Sequence, residues 1–235
     1  MGKRLYSQRR GRGTSTFKAK LTGIDSKYIN IEGTMKGEVT DLIKESGRDA
    51  IIVEITFDNN DKEYVVAGEG IYLGQKISHG PDAEANIGNI TLLEKIPEGC
   101  PIYNIERVAG DGGQLVRTSG SYALLVSKDS KKAIIKMPSG KLLSLPLTVK
   151  ASIGNVSCGG RSEKPFVKAG NKFFAMKAKK KFWPNVRGVA MNAVDHPFGG
   201  SQHHPGKSKS TSRNAPPGRK VGAIGSKRTG RIKKN

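Results

Sequence analysis

The 235-residue chain carries 41 Lys and Arg against 20 Asp and Glu, a formal net charge of +21, with a hydrophobic share of 35%. That excess calls for a polyanionic partner, nucleic acid or an anionic membrane surface, and the low apolar share means that part of the chain builds no core. No apolar run approaches the roughly 20 residues that span a bilayer, and Cys100 and Cys158, far apart in a chain with no signal peptide, read as reduced cytosolic thiols rather than a disulfide framework.

The charge is unevenly placed. Residues 1–20 carry seven cations and no acid, 21–100 are net −8, 101–160 net +5, and 161–235 net +17 with only two acids. Basic ends on a near-neutral body suggest anchoring arms attached to a folded module.

Residues 1–27 form a basic N-terminal extension. Its first part, MGKRLYSQRRGRGTSTFKAK, is almost devoid of apolar residues and is expected to be disordered without a partner. Lys3, Arg4, Arg9, Arg10 and Arg12 are its candidate phosphate contacts. Gly2 is no lipidation signal, because Tyr6 stands where myristoylation requires Ser or Thr.

Residues 28–97 read as β-structure. YINIEGTMKGEVTDLI and DAIIVEITFDNNDKEYVVAGEG are rich in β-branched residues, and DNND at 58–61 between IIVEITF and EYVVA signals a hairpin. IYLGQKI and NIGNITLL add short strands, and strands this closely spaced favour a small barrel. A boundary falls at KIPEGCP, 95–101, where two prolines and a glycine punctuate the chain.

Residues 98–176 read as a second barrel of short strands. SYALLVSKDSKKAIIKMPSGKLLSLPL predicts three strands joined by polar turns, ASIGNVS one more, and FVKAGNKFFAMKAKK a short helix with lysines at its C-terminal end. AGDGGQL, 109–115, is glycine-rich but lacks the GK[ST] ending of a phosphate loop. Arg117, just beyond it, is a candidate RNA contact.

Residues 177–235 form a basic C-terminal extension, rich in Gly, Pro, Ser, Lys and Arg, that could not bury enough surface to fold alone. One stretch in it, RGVAMNAVDHPFGG, places His196 directly after Asp195, a pairing that suggests catalysis. Adjacent side chains on an extended or turn backbone point apart, so Asp195 is badly placed to orient the imidazole, and no nucleophile sits in a strand–turn–helix setting nearby. An RNA-acting enzyme using Asp195 and His196 is therefore the lesser alternative, and the chain is read as no enzyme. A zinc site through His196, His203 and His204 lacks Cys or carboxylate partners at short spacing, so no metal is expected.

RNA accounts for the segment better. Gly lets backbone approach phosphates, Arg pairs with phosphates and stacks on bases, Asn and His reach base edges and the 2′-OH, and aromatic rings stack on unpaired bases. KFWPNVRGVAMNAVDHPFGG brings these types together as Trp183, Arg187, Gly188, Met191, Asn192, His196, Phe198, Gly199 and Gly200. Packing against a barrel is the competing role for Trp183 and Phe198. Lys177, Lys179, Lys180 and Lys181 precede the segment; His203, His204, Lys207, Arg213, Arg219, Lys220, Lys227, Arg228 and Arg231 follow it, all as candidate RNA contacts. Asp195 and Pro197 are read as loop-shaping, the carboxylate bonding loop N–H groups or a neighbouring Arg, with Mg²⁺ held jointly with RNA phosphates the weaker option.

RGVAMNAVDHPFGG strongly resembles the signature loop of the universal large-subunit ribosomal protein L two family. AGEGIYLGQ (67–75), IPEGCPIYNIE (96–106), GDGGQLVRTSG (110–120), KPFVKAGNKF (164–173) and APPGRKVGAIGSKRTGR (215–231) resemble it too, so the likeness covers nearly the whole chain. Phe198 and the GRKVG…RTGR wording look like the archaeal and eukaryotic-cytosolic branch. The resemblance implies a mainly β fold, an OB-fold-like barrel followed by an SH3-like barrel, with basic extensions entering rRNA. It implies a place in the cytoplasmic ribosome near the peptidyl-transferase centre, with large-subunit rRNA, neighbouring large-subunit proteins and, at the bridge, the small subunit as partners. It further implies roles in subunit association and tRNA binding, with no membrane and no cofactor beyond rRNA-associated Mg²⁺.

Overall fold

The structure, a computed structural model, describes residues 2–19, 23–31, 33–161, 163–200 and 209–230. It is mainly β, and the chain divides into two compact units, 20–167 and the two ends, 1–19 with 168–235.

In the first unit, β1 (Met35–Ile43), β2 (Ile52–Phe57) and β3 (Lys62–Val66) form an antiparallel meander. The expected hairpin forms at 58–61. Phe57 donates its N–H to the carbonyl of Asp61 at 2.9 Å, and Asn60 takes the left-handed conformation that a tight turn needs. Strand β4 (Lys76–His79) lies antiparallel on the other side of β1, and β5 (Ile90–Leu92) runs parallel to β4. Alternation in these strands sends Val39, Val53, Ile55, Phe57, Val65, Ile77 and Ile90 into one core.

Strands β6 (Pro101–Tyr103), β7 (Ala123–Lys128), β8 (Lys132–Lys136), β9 (Leu142–Pro146) and β10 (Lys150–Ile153) surround a second core built on Leu93, Ile96, Ile102, Ile105, Leu125, Ile135 and Val149. The expected turn at 138–141 closes the β8–β9 hairpin, where Met137 and Lys141 pair at 2.9 Å. Strand β6 was hidden in the sequence because it begins inside the Pro- and Gly-rich punctuation itself. The core changes between Ile90 and Leu93, ahead of that punctuation, and the backbone does not break there. Strand β10 pairs with both β5 and β6, giving one ten-stranded sheet ordered β3-β2-β1-β4-β5-β10-β6-β7-β8-β9. Each fully buried Ile, Leu or Phe contributes roughly 1.5–3 kcal/mol by leaving water.

The seam between the two cores is polar. The ammonium of Lys150 donates to Nε2 of His79 at 3.1 Å, which leaves Nδ1–H to bond Glu63 Oε2, also at 3.1 Å. The other oxygen of Glu63 accepts from the Ile29 N–H at 2.9 Å. Glu106 accepts from the N–H groups of Lys150 (2.9 Å) and Gly112 (3.2 Å). The Tyr28 hydroxyl donates to the Asn104 carbonyl and shares a bond with Ser152, both at 2.7 Å, and burial pushes its pKa well up. Buried charges survive here because they are paired and bonded.

The second unit contains α1 (Tyr6–Gly11), α2 (Ala169–Ala178) and a short parallel pair, β11 (Ser210–Thr211) with β12 (Ala223–Ile224). Helix α2 forms where a helix is expected, yet it groups with the chain ends rather than with the second barrel. None of its residues is buried, so it has no apolar stripe to seat on a sheet.

Candidate nucleic-acid interface

The unit of the chain ends carries 23 Lys and Arg against one acid, Asp195. Among its described residues only one apolar side chain, Leu5, is buried. Short polar contacts and ring stacking must hold it together.

The N-terminal arm, expected to be disordered without a partner, lies against the C-terminal segment. Leu5 donates its N–H to Gln8 Oε1 at 3.0 Å, closing the start of α1, and Arg9 and Arg10 occupy the last turn, where the helix dipole favours cations. The Tyr6 ring stacks on Phe182 at 4.2 Å between centroids, and the Arg9 guanidinium lies 5.4 Å from the Tyr6 ring. Lys3 donates its N–H to the Val194 carbonyl at 2.8 Å.

The loop 187–200 closes on its own backbone. A 3₁₀ turn spans Gly188–Ala190, Asp195 and His196 donate their N–H groups to the Asn192 carbonyl (3.0 and 3.2 Å), and Gly200 bonds Met191 at 3.1 Å across the neck. His196 Nδ1 accepts the Phe198 N–H at 3.0 Å, so the ring proton sits on Nε2. Burial holds the His196 pKa below its ordinary value. The ring lies directly on Gly188, where any β-carbon would collide with it. Phe198 packs at 5.1 Å from the His196 ring and covers Gly222, beside β12, so it packs within this unit rather than on a barrel.

Asp195 does not serve His196. Its carboxylate pairs with Lys3 Nζ at 3.3 Å, both groups reaching solvent. The partner is thus a lysine from the other end of the chain, where a neighbouring Arg or loop N–H groups were expected. With Nδ1 committed to a backbone N–H and the carboxylate turned to Lys3, the pair has no general-base geometry. No three His, Cys, Asp or Glu side chains gather as metal ligands among the described residues, and no helix there is long and apolar enough to cross a membrane.

Downstream, Ala223 and Gly225 donate their N–H groups to the carbonyls of Lys209 and Thr211 (2.9 and 2.8 Å), and Thr211 Oγ1 bonds the Val221 carbonyl at 2.5 Å. This clasp presents Arg213, Arg219, Lys220, Lys227 and Arg228 at the surface. Lys3, Arg4, Arg9, Arg10, Arg12, Lys177, Lys181, Arg187 and Asn192 are exposed in the same unit, and Lys179, Lys180, Trp183 and Met191 half-exposed. His196 lines two concavities, of about 410 and 320 Å³, shared with Lys3 and Arg4 on one side and Arg10 and Arg187 on the other. His203, His204, Lys207 and Arg231 lie outside the described residues.

Arg117 is the exception. Its guanidinium bonds the Gly113 carbonyl (3.0 Å) and both the carbonyl (2.6 Å) and hydroxyl of Ser26, inside the barrel unit. Burial and the nearby Arg48 lower its pKa. It ties residue 26 to the 113–117 turn. Sequence could not separate it from the surface arginines, because nothing local marks which carbonyls will converge on it.

Comparison with known proteins places these features. Residues 3–79 match the family described as Ribosomal Proteins L2, RNA binding N-terminal domain, and residues 86–220 match Ribosomal Proteins L2, C-terminal domain. The chain is similar to the large ribosomal subunit protein uL2 of Methanothermobacter thermautotrophicus, at 49% identity over 98% of this chain and 99% of that one. It is 50% identical to that of Natronomonas pharaonis (98% and 97% covered) and 49% identical to that of Haloarcula marismortui (98% of each).

Proposed function

Because the chain belongs to the ribosomal protein L2 family, we propose that it is a structural constituent of the large ribosomal subunit in the cytoplasm, anchored in rRNA by its two ends. The observation that carries this is the charge division: 23 cations against one acid in the unit of the chain ends, 18 against 19 in the barrel unit. Cations in such density, on a unit with almost no apolar core, match a phosphate backbone that supplies counter-charge. The barrels are read as OB-fold-like and SH3-like. The loop 187–200 meets RNA through Arg187, Asn192 and His196, with Gly188, Gly199 and Gly200 allowing close backbone approach. His196 acts as a neutral donor through Nε2–H.

The family is one of ribosomal structural proteins rather than enzymes, and the geometry at Asp195 and His196 fits RNA contact. We extend the reading to a position near the peptidyl-transferase centre, to contacts with neighbouring large-subunit proteins and the small subunit, and to support of subunit association and tRNA binding, with Mg²⁺ contributed by the RNA. Affinity for an rRNA fragment should fall steeply with salt, the slope of log K on log salt scaling with the phosphates neutralised. A slope near zero, or failure to co-sediment with large subunits through a moderate salt wash, overturns the proposal. His196→Ala should weaken assembly and leave peptide-bond formation by assembled ribosomes intact.

A further inference from the structure

Within the unit of the chain ends, a cavity of about 310 Å³ is lined by the rings of Phe17, Phe173, Phe182 and Trp183 and by Lys177, Lys180 and Lys181. Its size falls in the range that holds small ligands. Phe173 is 44% exposed and Phe182 38%. One face of Phe182 stacks on Tyr6 and Lys172 Nζ lies 5.3 Å from the Trp183 ring, but the partly exposed rings beside lysines, with no carboxylate among the lining residues, fit a ligand that has both a flat apolar face and negative charge.

The end of α2 adds an independent observation. Lys181 donates its N–H to the Met176 carbonyl at 2.9 Å and Lys180 to that of Lys177 at 3.0 Å, the paired bonds of a Schellman cap. Lys180 is the left-handed residue of that cap, with φ 52°. Glycine is the usual occupant of the position, because a β-carbon is strained there. A lysine in place of glycine sets a cation at the cavity rim at a cost to the helix end. Such a break with local preference is expected where a side chain has a task.

We propose that this cavity receives one unpaired rRNA nucleotide, its base stacked among the aromatic rings and its phosphate held by the lysines at the end of α2. A paired base cannot enter, since both its faces are already stacked in the helix. The inference rests on the rRNA-binding reading above and goes beyond it by naming a single-nucleotide site.

Trp183 is the only tryptophan of the chain, so its emission reports on this cavity alone. The full chain is titrated with a short RNA duplex carrying one bulged adenosine and with the same duplex fully paired. The bulged duplex should quench Trp183 and bind more tightly; the paired duplex should bind with little change in emission. Phe173→Leu should weaken the bulged duplex about tenfold. Lys180→Gly should weaken it a few-fold while keeping or raising the thermal stability of α2, which separates loss of contact from loss of fold. Phe173→Leu, which removes no charge, should leave the paired duplex within about twofold of the parent protein, and Lys180→Gly should weaken the bulged duplex more than the paired one. Tight binding of both duplexes without any response of Trp183, or equal quenching by both, overturns the nucleotide site and leaves the rRNA reading standing. Failure to bind either duplex removes both. Quenching by an acidic, leucine-rich peptide but by neither RNA assigns the cavity to a protein partner and overturns the proposal.

Discussion

The barrel unit and the unit of the chain ends are held together by different physics. Residues 20–167 balance their charges and bury two apolar cores with a polar seam between them, whereas the ends carry 23 cations and bury a single apolar side chain among their described residues. The first supplies its own stability from burial; the second is shaped by backbone bonds, ring stacking and glycine contacts that shield no charge. A chain of this kind separates the part that must be rigid from the part that must meet phosphate, and the two should respond to different insults.

The largest effect is expected at the seam. Glu63→Ala leaves His79 and the Lys150 ammonium without their carboxylate and should cost about 3–5 kcal/mol, read as a fall in the urea midpoint of the barrel unit. Ile135→Ala, in the second core with no exposure, should cost about 2–5 kcal/mol by the same measurement, depending on how far the core collapses. Leu5→Ala should lose about 2 kcal/mol locally, seen as faster proteolysis of the arm with the barrel midpoint unmoved. If that midpoint moves, the two units unfold as one and the comparison breaks.

A pH effect should appear in the loop that holds His196. The folded pKa of His196 is lowered by burial, so below its ordinary value of 6.5 the unfolded loop binds the proton first. Loop stability is therefore complete above about pH 6.5 and is lost as pH falls toward the lowered value. Amide exchange at Gly199 and Gly200 should quicken over that window, and a His196 titration midpoint at or above 6.5 contradicts it. Smallest of all is Lys3→Ala: the pair with Asp195 is solvent-exposed and should be worth below about 1 kcal/mol, measured by the same proteolysis and vanishing in high salt.

Much of this was legible in the residues. The hairpins at 58–61 and 138–141 and the strands of the second barrel follow from alternation and turn chemistry, which are local. The basic ends follow from composition, and the family from a specific loop motif. Other features depend on partners far away in the chain. Strand β6 is three residues long and forms only because β7 and β10 flank it. The bonded chain of buried Glu63, buried His79 and half-buried Lys150 joins positions up to 87 residues apart.

The sequence alone determined the class of the fold, the charge division and the family, because period, composition and motif are properties of short stretches. Tertiary structure alone decided that the N-terminal arm lies against the C-terminal segment, that α2 groups with the ends, that Arg117 bonds Ser26 and Gly113 and that Asp195 faces Lys3. Each of these is a contact between distant residues. Its free energy depends on which groups the fold brings within hydrogen-bond or van der Waals reach, and no local pattern encodes that.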